Sequence, residues 1–97
     1  MCQLFAGQDP ARYASETRSM RLNGYSTSIR LEAAFWRVIE EMAADDGSTV
    51  PQFIAKLHGE VVSLRGEIAN FTSLLRCACL VHLERRAACD KRTKTPA

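Results

Sequence analysis

The spacing of apolar residues changes abruptly near residue 32, and this change constrains the fold more than any other feature of the sequence. Before it, apolar or branched residues alternate with small polar residues and arginine, which is typical of a strand with one buried face. The buried row is Thr27, Ile29 and Leu31, and the exposed row is Ser26, Ser28 and Arg30. After it, Phe35, Trp36 and Ile39 recur at helical spacing. The sequence therefore predicts a strand that runs directly into a helix.

Two further helices follow the first. Gly47 can take the left-handed conformation that ends a helix, and Thr49 or Ser48 can cap the next one, with Pro51 in its first turn. The apolar stripe of this second helix includes Phe53, Ile54 and Leu57. Asn70 is a plausible cap for a third helix, whose apolar positions lie within residues 71–83. We expect a mainly helical domain with a short β-ribbon.

Residues 18–22 also alternate, and two structures are compatible with them. The dipeptide Asn23-Gly24 follows, which is the strongest short hairpin signal, so these residues form either a hairpin strand or a flexible arm. We divide the chain into an N-terminal arm, a strand-helix-helix domain, a C-terminal helix and a basic disordered tail. Their predicted ranges are 1–17, 18–65, 66–88 and 89–97.

The composition of the 97-residue chain excludes several classes of protein. A chain of this length builds a modest core, and many such domains share it with a second subunit. No apolar run is long enough to span a membrane, and the N-terminus lacks the features of a signal peptide, so we expect a cytoplasmic protein. Glycine-rich phosphate loops, nucleophile–base pairs and HExxH metal motifs are absent from the sequence, so we expect neither an enzyme nor a bound cofactor.

The cysteines do not predict a metal site. Cys77 and Cys79 point to opposite sides of a helix, and Cys79 with His82 supplies too few ligands. We expect reduced thiols and no bound metal, and a thiol- or metal-responsive switch through Cys77, Cys79 or Cys89 is a minor alternative.

Charge is distributed unevenly along the chain. Residues 1–31 hold four arginines against two acids, whereas residues 32–60 hold six acids against two bases. The C-terminal part is basic again, with seven bases against three acids in residues 61–97. A basic edge on an acidic body is compatible with a polyanionic partner.

A lone strand or hairpin is marginal in water, so its edge needs a partner. The simplest partner is the same strand of a second copy, paired antiparallel about a two-fold axis. Such a ribbon fits the DNA major groove, where arginine grips guanine and serine bonds to any base edge. We predict base contacts by Ser26, Ser28 and Arg30. We predict phosphate contacts by Arg18, Arg21, Thr49 and Val50.

The stretch from residue 26 to residue 57 resembles the ribbon-helix-helix (MetJ/Arc-type) DNA-binding fold. The resemblance lies in STSIRL, EAAFWRVIEEMAADD, the Gly47-Ser48-Thr49 turn and VPQFIAKL. It is closer to a bacterial subset with a TSxRLExxFW signature and an extra C-terminal helix. The resemblance implies an obligate homodimer, and a transcription repressor, plasmid regulator or antitoxin. The expected dimer core is Thr27, Ile29, Leu31, Phe35, Trp36, Ile39, Phe53, Ile54 and Leu57.

One alternative uses the same dimer for a different purpose. If residues 18–22 form a hairpin strand, the dimer sheet has four strands and spans roughly 14 Å, which is wider than a major groove of about 12 Å. Either the outer strands then bend away from the groove, or the sheet serves association instead of base contact. In the second case the sheet docks a protein partner. Residues 71–83 offer a further surface for such a partner, as in an antitoxin, or for joining dimers into a higher oligomer.

Overall fold

The computed structural model describes residues 2–94 and shows a β-hairpin followed by three long helices. In chain order the elements are α1 (Cys2–Ala6), α2 (Pro10–Tyr13), β1 (Ser15–Leu22), β2 (Tyr25–Glu32), α3 (Ala33–Asp46), α4 (Val50–Arg65) and α5 (Phe71–Lys94). The predicted class, mainly helical with a short β-ribbon, is confirmed. No helix in this part of the chain is long and apolar enough to cross a membrane.

The structure decides between hairpin and arm in favour of the hairpin. β1 pairs antiparallel with β2, and Asn23 and Gly24 have φ values of 52° and 95°. Two successive positive φ angles are what a type I′ hairpin turn requires. β1 begins at Ser15, three residues before the predicted strand, because pairing continues to Glu32. The backbone N–H of Ala33 also donates to the carbonyl of Ala14 at 2.9 Å, which extends the ladder beyond the strands.

The core lies between the inner face of the hairpin and the three long helices. Its most deeply buried side chains are Leu31, Trp36, Ile39, Ile54, Leu75 and Cys79. Trp36 is anchored as well as buried, because its Nε1–H donates to the carbonyl of Glu16 at 2.8 Å. This position therefore suits a tryptophan, whose rings are buried and whose N–H has a partner.

The residues predicted for a dimer core divide into two groups within the single chain. Ile29, Leu31, Trp36, Ile39 and Ile54 are buried. Thr27, Phe35, Phe53 and Leu57 are half-buried. The second group leaves apolar surface that one copy of the chain does not cover.

The helix ends follow the local sequence signals. Gly47 ends α3 with a φ of 73°, and Gly66 ends α4 with a φ of 77°. Thr49 caps α4 in a reciprocal capping box with Gln52. The side chain of Asn70 accepts the N–H of Ser73 at 3.1 Å at the start of α5.

The C-terminal helix is longer than the sequence predicted. α5 continues to Lys94, whereas residues from 89 onward were expected to be disordered. Lys91, Arg92 and Lys94 are good helix formers, so propensity favours continuation of the helix beyond the core. Residues 95–97 of the predicted tail lie outside the described part of the chain. The four predicted ranges stay predictions, since a helix end does not define a domain boundary.

Candidate nucleic-acid interface

The strand register brings six polar residues to the outer face of the hairpin. Residues paired across an antiparallel ladder point to the same face. The cross-strand pairs are Thr17 with Arg30, Ser19 with Ser28, and Arg21 with Ser26. All six side chains are exposed. The predicted base-contacting residues therefore share one surface with Arg21, which was predicted to contact phosphate; we call these six residues the outer face.

Serines at the centre of the outer face keep it shallow. The hydroxyls of Ser19 and Ser28 lie 3.2 Å apart, and a hollow of about 380 Å³ opens over this part of the hairpin. Small side chains let a large planar group approach the strands closely. Hydroxyls both donate and accept hydrogen bonds, so they suit the mixed donors and acceptors of base edges.

The two arginines of the outer face are available to an external partner. Neither Arg21 nor Arg30 forms an ion pair with any described side chain. The six residues of the outer face include two arginines and no acid. Glu32 is the next residue of the same alternation, opposite Ser15, and its carboxylate is held by Arg76.

Arg18 does not belong to this surface. It pairs with Ile29 on the inner face of the hairpin and lies 4.5 Å above the ring of Trp36. Its guanidinium donates to Glu16 at 2.7 Å and to Glu40 at 2.8 Å. Burial alone lowers the pKa of Arg18, but these two carboxylates outweigh it and raise the pKa. The geometry argues against the phosphate contact predicted for Arg18, because its charge is already satisfied within the chain.

The start of α4 offers less to an anion than the sequence predicted. The N–H of Thr49 donates to Gln52 Oε1 at 3.0 Å, and the N–H of Gln52 donates to Thr49 Oγ1 at 3.3 Å. The N–H of Phe53 bonds to the Thr49 carbonyl, and Pro51 has no N–H. Of the groups predicted to hold phosphate here, the amide of Val50 is left, together with the positive end of the helix.

The hairpin is held to the helices at its tip. Asn23 Nδ2 lies 3.4 Å from the carbonyl of Ala55 and 3.3 Å from Nδ1 of His58, both on α4. Met20, Leu22, Ile29 and Leu31 fix the inner face by burial. The outer face is thus presented on a braced strand pair and not on a loose arm.

The open edge of β2 can be identified from the pairing. Ala14 and Ala33 form a hydrogen-bonded pair, and such pairs alternate along an antiparallel ladder. Residues 25, 27, 29 and 31 therefore direct their backbone groups to β1. The backbone groups of Ser26, Ser28 and Arg30 point to the other edge, where the two-stranded sheet of residues 2–94 has no further strand.

Two residues of the outer face, Thr17 and Ser19, are absent from the sequence-based prediction. A two-residue turn at Asn23-Gly24 fixes the register of the whole hairpin, so the sequence already indicates which residue of β1 lies opposite each residue of β2. This register applies only if residues 18–22 form a hairpin strand and not a flexible arm.

The chain thus has the order hairpin, helix, glycine turn and capped helix. This order is typical of a class of small domains that use the exposed face of a strand for binding. The family model of the ribbon-helix-helix domain matches residues 15–83. The chain belongs to the ribbon-helix-helix domain family, whose members are generally DNA-binding transcription regulators or antitoxins. The match begins at the first residue of β1 and ends within α5.

A solved structure supports the same assignment. An uncharacterized protein from Bordetella pertussis Tohama I is similar, with 45% sequence identity and a TM-score of 0.82. The alignment covers 100% of this chain and 74% of that one. A comparison with curated proteins found no match.

Proposed function

We propose that the chain is a cytoplasmic, sequence-specific DNA-binding transcription regulator that acts as a homodimer and has no catalytic role. The observation that carries the proposal is the outer face, in which Arg21 and Arg30 form no ion pair with a described side chain and flank exposed hydroxyls. Backbone phosphate attracts the arginines, and base edges match the hydroxyls and the Arg30 guanidinium.

The open edge of β2 supports dimer formation and limits its geometry. In an antiparallel pair of β2 strands, the residues of each strand whose N–H and C=O groups point away from β1 must bond to the equivalent residues of the other strand. In a two-fold arrangement, an outward-pointing residue such as Ser28 must then lie opposite an outward-pointing residue. A dimer centred on Ser28 places Ser26 opposite Arg30 of the second copy. The half-buried Phe35, Phe53 and Leu57 offer apolar surface for the same contact.

A four-stranded dimer sheet can still engage DNA. The two central strands are both β2, separated by about 4.8 Å, so they fit a groove about 12 Å wide. The outer strands are both β1, and they lie over the groove walls, where the phosphates are. In the proposed dimer, Ser26, Ser28 and Arg30 would contact bases and Arg21 would contact phosphate.

The test is fluorescence anisotropy with mixed-sequence duplex DNA at several salt concentrations. Two such arginines per chain give four per dimer, so we expect log affinity to fall with log salt with a slope of about −3.6 or steeper. Arg21→Ala with Arg30→Ala should weaken binding and flatten this slope. The matched control is Arg12→Ala with Arg37→Ala, which removes two exposed arginines from outside the outer face. Equal binding by both double variants would exclude the outer face as the DNA-binding surface.

A second candidate function is a protein-docking or antitoxin-like role of the same dimer. Its support is the apolar surface of α5, where Leu80 and Val81 are each 52% exposed and Leu83 is 39% exposed. Affinity that does not depend on salt, or no DNA binding at low salt, would favour this alternative. A thiol switch gains no support from Cys79, because burial raises the pKa of its thiol to about 11.

A further inference from the structure

Three potential metal ligands meet where α5 packs against α3. Glu41 and Asp45 are one helical turn apart on α3, and His82 approaches them from α5. One donor atom from each residue lies within 4.8 Å of the other two. His82 Nε2 is 3.3 Å from Glu41 Oε1.

The charge around this group is incompletely balanced. The second half of α3 carries four acids at the negative end of the helix dipole, where acids are unfavourable. Three of them have cationic partners: Glu40 with Arg18, Glu41 with Arg86, and Asp46 with Lys56. Asp45 has no hydrogen bond or ion pair with any described residue. A cation placed between Asp45, Glu41 and His82 would compensate the remaining charge.

We propose that Glu41, Asp45 and His82 form a binding site for a divalent first-row metal ion of the Zn²⁺ or Co²⁺ type. One imidazole nitrogen and two carboxylates are a donor set that such ions accept, and water would complete the coordination. The donors of a tetrahedral ion with bonds near 2.1 Å stand about 3.4 Å apart, so the side chains must converge by on the order of 1 Å. Asp45 is exposed and Glu41 lies at the surface, so both can move.

Arg86 is the internal competitor for this site. Its guanidinium holds the same Glu41 oxygen that lies near His82. The hydrogen bond from His82 and the charge of Arg86 hold the pKa of Glu41 below its usual value. An ion would displace Arg86 and fasten α5 to α3.

The ligands differ from those that the sequence suggested. From the sequence, Cys79 with His82 supplies too few ligands, and no bound metal is expected. Cys79 lies in the core, and its thiol is directed to the carbonyl of Phe35 at 3.7 Å. The sequence gives no local signal for Glu41 and Asp45 as partners of His82, because they lie on another helix and far from it along the chain.

The experiment uses the full chain freed of metal by chelation, titrated with Zn²⁺ by calorimetry and with Co²⁺ by visible absorption. We expect one ion per chain and ligand-field bands of nitrogen–oxygen coordination without a thiolate charge-transfer band. Asp45→Asn should weaken metal binding by more than about tenfold, because losing even a residue that only hydrogen-bonds to a metal ligand costs about tenfold in affinity. This variant should fold, because Asp45 is exposed and unpaired among the described residues.

Two further variants sharpen the result. Asp46→Asn removes the same charge one position along α3 and should bind as the parent does. Arg86→Gln should bind more tightly, because the competing ion pair is lost. If Asp45→Asn and Asp46→Asn lose the same metal affinity, the ion is attracted by the overall negative charge of α3 and not by this site, and the proposal is overturned. No binding, or a thiolate band from Cys77 or Cys89, would overturn it as well.

Discussion

Arg18 and Arg30 show how the environment of a residue decides its role. Both are arginines of the same hairpin. Arg30 lies opposite Thr17, the residue next to Arg18, so the two arginines point to opposite faces of the hairpin. Arg18 faces Trp36 and two carboxylates and stabilises the domain, whereas Arg30 faces outward without an ion partner among the described side chains. Residue type alone does not separate these roles, because the separation depends on which face of the strand is covered.

Two glycines make a sharp test at the residue scale. Gly24 has a φ of 95°, where an added Cβ is strained although nothing lies within 4 Å. Gly59 lies inside α4, and an added Cβ would meet Asn23 Nδ2 at 3.7 Å, an ordinary contact. We expect Gly24→Ala to destabilise the protein by roughly 1 kcal/mol and Gly59→Ala to stabilise it by up to about 1 kcal/mol.

Urea unfolding of both variants measures the difference. Opposite shifts of the midpoint are the expected outcome. A destabilised Gly59→Ala would mean that the tip of the hairpin fits α4 more tightly than the structure shows.

At the scale of elements, ion pairs connect segments that the sequence places far apart. Glu32, at the junction of β2 and α3, holds Arg76 of α5 through contacts of 3.0 and 3.3 Å. Lys56 of α4 reaches Asp46 of α3 at 3.2 Å. In both pairs the cation lowers the pKa of the carboxyl group, through hydrogen bonding first.

The Glu32–Arg76 pair predicts a pH dependence of stability. The folded-state pKa of Glu32 lies below its ordinary value of 4.5, so the folded state binds its proton less readily than the unfolded state does. The stabilisation is complete above about pH 4.5 and is lost as the pH falls through the folded-state pKa.

Urea midpoints measured at neutral pH and near pH 3 test this expectation. Glu32→Gln should lose less stability on acidification than the parent. Glu67→Gln removes an exposed carboxylate without a described ion pair and is the control for net charge. If Glu32→Gln and the parent lose the same stability, the pair contributes nothing measurable, as is common for half-exposed pairs.

At the scale of the whole molecule, the open edge of β2 determines how two copies meet in the proposed dimer. Ser28 directs its N–H to this edge, while Ser19, its cross-strand neighbour, directs its N–H to the outer edge of β1. Proline removes a donor and is tolerated where the N–H is not used within the chain. Ser28→Pro should therefore convert the dimer to a monomer, whereas Ser19→Pro should leave it intact.

Sedimentation velocity and circular dichroism of both variants check this prediction. Helical content should be kept in Ser19→Pro, and the sedimentation coefficient should fall in Ser28→Pro. A dimeric Ser28→Pro would place the dimer contact elsewhere, and the exposed part of α5 would be the next surface to test.

The sequence by itself determined the local structure of this protein. Alternation defined the buried row of β2, Asn23-Gly24 specified the turn, and glycine and threonine signals located the ends of α3 and α4. These features depend on residues a few positions apart, so their physics is contained in short segments. The ribbon-helix-helix family was accessible for the same reason, because its signature is local.

Only the tertiary structure decided which distant residues act together. It placed Thr17 and Ser19 on the outer face, turned Arg18 inward to Trp36, and brought His82 to Glu41. It also left Leu80 exposed, within the range 71–83 in which the apolar positions of the third helix were predicted. Such contacts depend on how the elements pack and on the strand register, and the free energy of packing is shared among many side chains across the chain.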